Sequence, residues 1–419
     1  MTETEDIHTV TSPSRDRIWI DGCFDFAHHG HAGAMLQARQ LGKSLYVGVH
    51  SDEEILENKG PVVMTLPERV LAVEACKWAT VAVPGAPYVT DPAVMDEYGC
   101  FYVVHGDDIT TDANGEDCYR VVKEAGRFLI VKRTPNISTT DLVGRMLLCT
   151  KLHHIPTVKD ASGIVKVIAA SQALAGSKKS SIADSGLIST EAYERFVAYA
   201  SAENGTSPRD GVYIWTSGGH LATIVAAADE DKDRTISLRR KMIYVDGGFD
   251  LFFAGHIEFL RLVAERAKLL EEPVGIVVGL HDDATVNSAK GLNYPIMSIF
   301  ERALCVLQCK YVSHVVLQAP YAASKAFLDA LPWEIVSVMH GPGPSPTSGS
   351  GTATATATGE LSDPYKTARN MGLYEEISDH KYKGITTETI VERVTRNRGV
   401  YEERQRRKGW KAELEATMS

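Results

Sequence analysis

The chain has 419 residues, enough for two or three domains with sizeable cores, and its 44% hydrophobic and 23% charged content is ordinary for a globular protein. No apolar run approaches the roughly 20 residues of a membrane-spanning helix, and the polar, acidic N-terminus lacks the apolar centre of a signal peptide. Seven scattered cysteines point to a reducing, cytoplasmic setting rather than a disulfide scaffold, and a net charge of −10 argues against bulk nucleic-acid binding.

Taken in chain order, residues 1–15 are expected to be a disordered N-terminus and 16–150 a first domain. Arg17–Asp21 is a short apolar run ending at a Gly turn, followed by the amphipathic stretch Ala32–Gln40. Leu45–Val49 is fully apolar, as a buried parallel strand should be, and Trp78–Val83, Phe101–Val104 and Phe128–Val131 continue the series. Residues 151–240 are mixed and read as a partly ordered linker: Ser171–Ser185 and Asn204–Gly211 look like loop, Glu191–Ala202 has helical spacing, and Val212–Trp215 fits a strand. From Lys241 the pattern begins again with a strand over Lys241–Asp246, a helix over Ile257–Leu269 and a strand over Gly275–Leu280.

That return is a tandem duplication. Asp21-Gly-Cys-Phe-Asp25 with Gly30 and His31 is matched by Asp246-Gly-Gly-Phe-Asp250 with Gly255 and His256. Lys59-Gly60 returns as Lys290-Gly291, Glu68-Arg69 as Glu301-Arg302, Ala86-Pro-Tyr88 as Ala319-Pro-Tyr321, His105-Gly106 as His340-Gly341, and Ile137-Ser-Thr-Thr140 as Ile385-Thr-Thr-Glu388. The offset grows from 225 at His31 to 233 at Tyr88 and 248 at Thr139. Most of the late growth lies in the Gly-, Pro-, Ser- and Thr-rich stretch 341–360, read as a flexible loop inserted into a second domain over 241–400, with a tail over 401–419. Strands alternating with helices predict an α/β fold of two tandem doubly wound, Rossmann-like parallel sheets, with ligands at the carboxyl ends of the strands.

His28-His-Gly-His31 follows a strand and opens a helix, where free N–H groups and the helix dipole suit an anion and a glycine lets a phosphate approach. With Arg133-Thr-Pro-Asn-Ile-Ser-Thr-Thr140 downstream, this arrangement resembles the cytidylyltransferase family of nucleotidyltransferases. The tandem repeat, with Val47–Glu54 and Thr139–Leu148, is similar to the family's ethanolamine-phosphate members in particular. The resemblance implies transfer of a cytidylyl group from CTP to phosphoethanolamine with release of pyrophosphate, in phosphatidylethanolamine synthesis. Phosphocholine or glycerol 3-phosphate as acceptor, or CTP binding without turnover, are the alternatives.

By the same resemblance His28, His31, Lys59 and Arg133 are the catalytic groups. Gly22, Cys23, Phe24, Asp25, Gly30, Ser138, Thr139 and Thr140 surround the nucleotide, and Arg69, Tyr88, Asp107 and Asp108 face the second substrate. Mg²⁺ is expected as the counter-ion of CTP, held by phosphate oxygens and water. No nucleic acid and no spanning segment are implied, peripheral contact with the endoplasmic reticulum is at most weak, and a homodimer is left open.

Each assignment has a plainer reading. The histidines could cap a helix or bind zinc, Lys59 could be a solvated loop lysine, and Asp25 could be purely structural. Arg69 could form a salt bridge, Tyr88 could merely pack, and Asp107 and Asp108 could cap the next segment. Cys305 and Cys309 read as helix packing, and the basic run Arg404–Lys411 as a solvated terminal helix. In the second copy Phe253 stands where His28 does and the Arg133-Thr pair has no counterpart, so that copy is expected to be catalytically dead. The family's glycine two residues after Arg-Thr is replaced here by Pro135-Asn136, and Asn tolerates the left-handed turn expected there.

Overall fold

The computed structural model describes residues 12–159, 189–228, 240–341, 363–377, 379–403 and 406. Most of the expected disordered N-terminus, the loop 171–185, nearly all of the inserted loop 341–360 and most of the tail 401–419 lie outside those residues. All seven cysteines are free.

The chain forms two compact units, residues 1–149 with 385–419, and residues 150–384. In the first, five parallel strands run β1 (Ser14–Gly22), β2 (Ser44–His50), β3 (Val81–Ala86), β4 (Cys100–Gly106) and β5 (Phe128–Val131), and lie side by side in the order β3-β2-β1-β4-β5. Strand order reverses beside β1, and such a switch point opens a crevice at the strands' carboxyl ends. Helices His29–Arg39, Asp52–Asn58, Leu66–Glu74, Pro92–Glu97, Arg120–Glu124 and Thr139–Leu148 supply the crossovers. Trp19, Val83, Met95, Val103, Cys118 and Val122 form one of its buried clusters.

The second unit repeats the plan with β8 (Lys241–Gly247), β9 (Gly275–Leu280), β10 (His314–Leu317), β11 (Glu334–His340) and β12 (Tyr374–Glu376), following β6 (Gly211–Trp215) and β7 (Leu221–Val225) in the chain. Its sheet order is β12-β11-β8-β9-β10-β6-β7, which is the first sheet's order with two strands added beyond β10. β6 pairs parallel to β10, and β7 returns antiparallel on β6. The segment expected to be a linker therefore supplies two strands and the helix Thr190–Tyr199 to this unit, covering an edge of the sheet that would otherwise expose unpaired backbone groups.

Two other differences have local causes. The strand expected over Trp78–Val83 begins only at Val81, because Trp78 sits in the preceding turn, fully buried, where an apolar residue gives no clue to backbone geometry. The helix Thr387–Arg396 falls in the second domain by its place in the repeat, yet it packs on the helix Thr139–Leu148 and belongs to the first unit.

Candidate active site

At the end of β1 the backbone turns through left-handed conformations at Phe24, Phe26 and Ala27 (φ 51°, 64° and 39°) and enters the helix His29–Arg39. His28 is its N-cap: Nδ1 accepts from the Gly30 N–H at 3.1 Å. In the neutral ring this places the proton on Nε2, a buried atom with no hydrogen-bond partner among the described residues. The His31 ring stacks on His28 with centroids 3.9 Å apart and planes 17° apart, and its buried Nδ1 is likewise unpartnered among them. Gly30 lies beneath this pair, where a Cβ would come within 2.8 Å of Ile137 and 2.9 Å of the His28 ring.

Burial holds His28 far below the usual imidazole range, reinforced by His31, His29 and Arg133. Burial, with the positive charges of Lys59 and Arg133, brings His31 down to about 3. Both rings are thus neutral N–H donors near pH 7, and the fixed positive charge comes from Lys59 and Arg133.

Lys59 ends the helix Asp52–Asn58, with Nζ 3.8 Å from Cys23 Sγ. The loop after it is tied to the histidine turn by Asp25, whose carboxylate accepts from the Val63 and Met64 N–H groups at 2.9 and 2.8 Å. Arg69 is fully occupied nearby: Nε donates to the Met64 carbonyl, Nη1 to the Cys23 carbonyl, and Nη2 to Asp52 at 2.6 Å. Its side chain is buried and does not line the cavity. The second unit repeats both devices, with Asp250 holding Ile296 and Met297, and Arg302 holding Met297, Gly248, His281 and Asp283. Asp25 and Arg69 therefore belong to the scaffold of the repeat.

Arg133 follows β5, and its guanidinium pairs with Asp108 at 3.0 Å. Asp107 accepts from the Arg133 backbone N–H at 3.3 Å and stays outside the cavity lining. Asn136 takes the left-handed turn expected of it (φ 62°). Ser138 then caps the helix Thr139–Leu148, accepting from Asp141 N–H and donating to the Asp141 carboxylate. The Thr139 hydroxyl reaches the Asp25 carbonyl at 3.5 Å.

These segments enclose a cavity of about 910 Å³. Its wall includes His28, His31, Lys59 and Arg133, together with Gly22, Cys23, Phe24, Asp25, Gly30, Ser138, Thr139, Thr140, Tyr88 and Asp108. Of the residues singled out from the sequence only Arg69 and Asp107 lie outside it.

Sequence reasoning passed over several others. Asp21 lines the cavity, buried, and accepts from Trp19 Nε1, the Thr90 hydroxyl and the Tyr119 hydroxyl at 2.8, 2.7 and 2.7 Å. Its recurrence as Asp246 was the available signal. Lys132 and His105 were also visible, as neighbours of chosen residues. Gly399, Val400 and Glu403 also contribute, and nothing in their local sequence pointed there. Among the described residues no group of three or more His, Cys, Asp or Glu is placed to hold a metal ion.

In the second unit Phe253 occupies the N-cap position without a capping bond, and its ring lies 3.9 Å from that of His256. A phenylalanine has no counterpart to the Nε2 donor of His28. Burial and Lys290 bring His256 down to about 3.

Known proteins resemble this chain over both repeats. The family model described as cytidylyltransferase-like matches residues 19–145 and 244–343. The chain is 38% identical over 409 residues to ethanolamine-phosphate cytidylyltransferase of Dictyostelium discoideum, covering 96% of each. It is 39% identical over 403 residues to the Mus musculus protein of the same name, covering 96% of this chain and 91% of that one. Choline-phosphate cytidylyltransferase A of Homo sapiens is 39% identical over only 133 residues, 31% of this chain and 36% of that one. The two matched segments carry the two repeats, and the full-length relatives share the tandem plan's whole extent. The chain thus belongs to the cytidylyltransferase-like nucleotidyltransferases and, within them, to the ethanolamine-phosphate cytidylyltransferase family.

Proposed function

We propose that the first unit joins CTP to phosphoethanolamine, forming CDP-ethanolamine and pyrophosphate in the route to phosphatidylethanolamine. The observation that carries this reading is the meeting of His28, His31, Lys59 and Arg133, from three separate segments, on one cavity that also holds the buried carboxylate of Asp21.

The acceptor's phosphate oxygen is already an anion, so it attacks the α-phosphorus of CTP without a strong general base. The bond from that phosphorus to the bridging oxygen breaks, and pyrophosphate leaves with the negative charge. The obstacle is repulsion between two phosphates: at 4 Å and an effective dielectric of 20, each pair of unit charges is worth about 4 kcal/mol. Lys59 and Arg133 offset it with full charges, while His28 Nε2 and His31 donate to the α-phosphate and the leaving oxygen. The start of the helix Thr139–Leu148 adds backbone N–H groups for the remaining phosphates.

Mg²⁺ fits as part of the nucleotide substrate, bound by phosphate oxygens and water, and supplies charge neutralisation there. Asp108, expected at the acceptor, pairs with Arg133, and Asp21, whose oxygens accept from Trp19, Thr90 and Tyr119, is a second carboxylate on the cavity wall suited to a primary ammonium. His105 and Tyr88 line the same cavity. No helix among the described residues is long and apolar enough to cross a membrane. A cytoplasmic enzyme with at most peripheral contact at the endoplasmic reticulum remains our reading, with a homodimer compatible with it.

The test is pyrophosphate release with CTP and a panel of phosphoethanolamine, phosphocholine and glycerol 3-phosphate. The reading requires phosphoethanolamine to give the highest kcat/KM; preference for either other acceptor, or binding without turnover, overturns it.

A further inference from the structure

We propose that the chain's C-terminal segment, Arg393–Glu403, is a positioning element for the Lys59 loop. Although it closes the second repeat in sequence, it serves the first repeat's chemistry. The inference rests on the reading of Lys59 as the cation that meets the nucleotide's phosphates.

Between Asn58 and Leu66 the chain has no regular structure, and its backbone groups need partners from elsewhere. Asp25 supplies some, taking the N–H groups of Val63 and Met64. The C-terminal segment supplies others. Arg393 forks onto Glu68, with Nη1 2.7 Å from Oε2 and Nη2 2.9 Å from Oε1, and Nη1 also donates to the Val63 carbonyl at 3.1 Å. Glu68 is buried and accepts from the Thr65 N–H as well, so the fork fixes the start of the next helix along with the loop. Tyr401, itself buried, donates its hydroxyl to the Pro61 carbonyl at 3.2 Å.

Gly60, with φ 100°, lies under Val400, whose Cγ1 would be 3.7 Å from a Cβ there. Pro61 and Val63 are thus gripped at their carbonyls from the C-terminal side, and Val63 is gripped at its N–H from the histidine turn. Lys59 immediately precedes this held stretch. The same segment puts Gly399, Val400 and Glu403 into the cavity wall, and the helix Thr387–Arg396 that leads into it packs on Thr139–Leu148, whose first residues line the cavity. A lysine on a long flexible stem stabilises charge efficiently only when its anchor is fixed beforehand, because order already present need not be imposed during the reaction.

The test uses the full-length chain with Arg393→Ala, Arg393→Lys and Tyr401→Phe, alone and combined with Lys59→Ala. Arg393→Ala is expected to lower kcat/KM for CTP by about tenfold or more, since a misplacement of about 1 Å at a reacting group can cost about a hundredfold. The KM for phosphoethanolamine should stay within about twofold, and Arg393→Lys should recover part of the loss. In the Lys59→Ala background the same change should cost little further, because its effect runs through Lys59.

Deuterium exchange over residues 59–68 gives a readout independent of the reaction: it should speed up in Arg393→Ala and, less so, in Tyr401→Phe. Equal losses with and without Lys59, or exchange unchanged in both variants, overturn the inference. Should Arg393→Ala fail to fold, Tyr401→Phe decides by the same two measurements. Failure of the functional reading is a separate event, seen as a wild-type chain that releases no pyrophosphate from CTP and phosphoethanolamine.

Discussion

The second unit already contains a natural version of an informative experiment, because Phe253 stands where the first unit has His28. Replacing His28 by Phe should therefore leave the fold nearly intact and remove one donor from the reaction. The packing precedent is direct: the ring of Phe253 lies over Gly255 as His28 lies over Gly30, and its centroid is 3.9 Å from that of His256, the same distance as between His28 and His31, though the planes are tilted by 32° instead of stacked at 17°.

Stability should fall by the lost cap to Gly30, about 1 kcal/mol or less, or a Tm drop of about 2–4 °C for a unit of this size. The chemical cost should be much larger. Nε2 is buried without a partner among the described residues, and loss of one donor aimed at developing charge costs about 10²–10³ in kcat, or roughly 2.7–4 kcal/mol. Pyrophosphate release under saturating CTP and phosphoethanolamine, with a melting curve of the same preparation, separates the two effects. If the interaction exists only in the transition state, kcat and kcat/KM fall together. A kcat within about threefold of wild type, with the melt unchanged, would falsify the role assigned to His28.

Asp108→Asn should tell the ion pair with Arg133 from a head-group contact. Both side chains are substantially exposed, so the pair itself is worth at most about 1 kcal/mol. Freed of it, Arg133 should bind CTP up to severalfold more tightly at low salt, with the phosphoethanolamine KM unchanged. A raised phosphoethanolamine KM would instead restore Asp108 to the acceptor.

Acid should weaken the fold through its buried neutral histidines. The unfolded chain takes up a proton on each near the ordinary value of 6.5, whereas folded His31 and His256 do so only near 3. Their contribution is complete above about pH 7 and is lost as pH falls through 6.5 toward 3, reaching about 2 kcal/mol for each at pH 5. His256→Phe, set among Phe249, Phe252 and Phe253, should lose about 2 kcal/mol less than wild type between pH 7 and 5. An identical acid dependence in denaturant melts would contradict the assignment.

Order along the chain was enough to recognise the duplication, the alternation of apolar strands with helices, and the histidine and Ile-Ser-Thr-Thr motifs. Each of these is written within one element and its adjoining turn. That is why fourteen of the sixteen residues chosen from sequence line one cavity, and why Asn136 takes the expected left-handed turn.

Local pattern could not tell a residue that touches ligand from one that holds the ligand's scaffold. Arg69 looks the same in sequence whether its guanidinium faces a phosphate or is consumed by two carbonyls and Asp52. The three donors around Asp21 come from residues 2, 69 and 98 positions away. The C-terminal contacts to Pro61, Val63 and Glu68 span more than 300 positions. Linker strands completing the second sheet depend in the same way on which edge stood open. Such pairings follow from the burial and hydrogen-bond satisfaction of the whole fold, and the chain carries no short-range periodicity that could announce them.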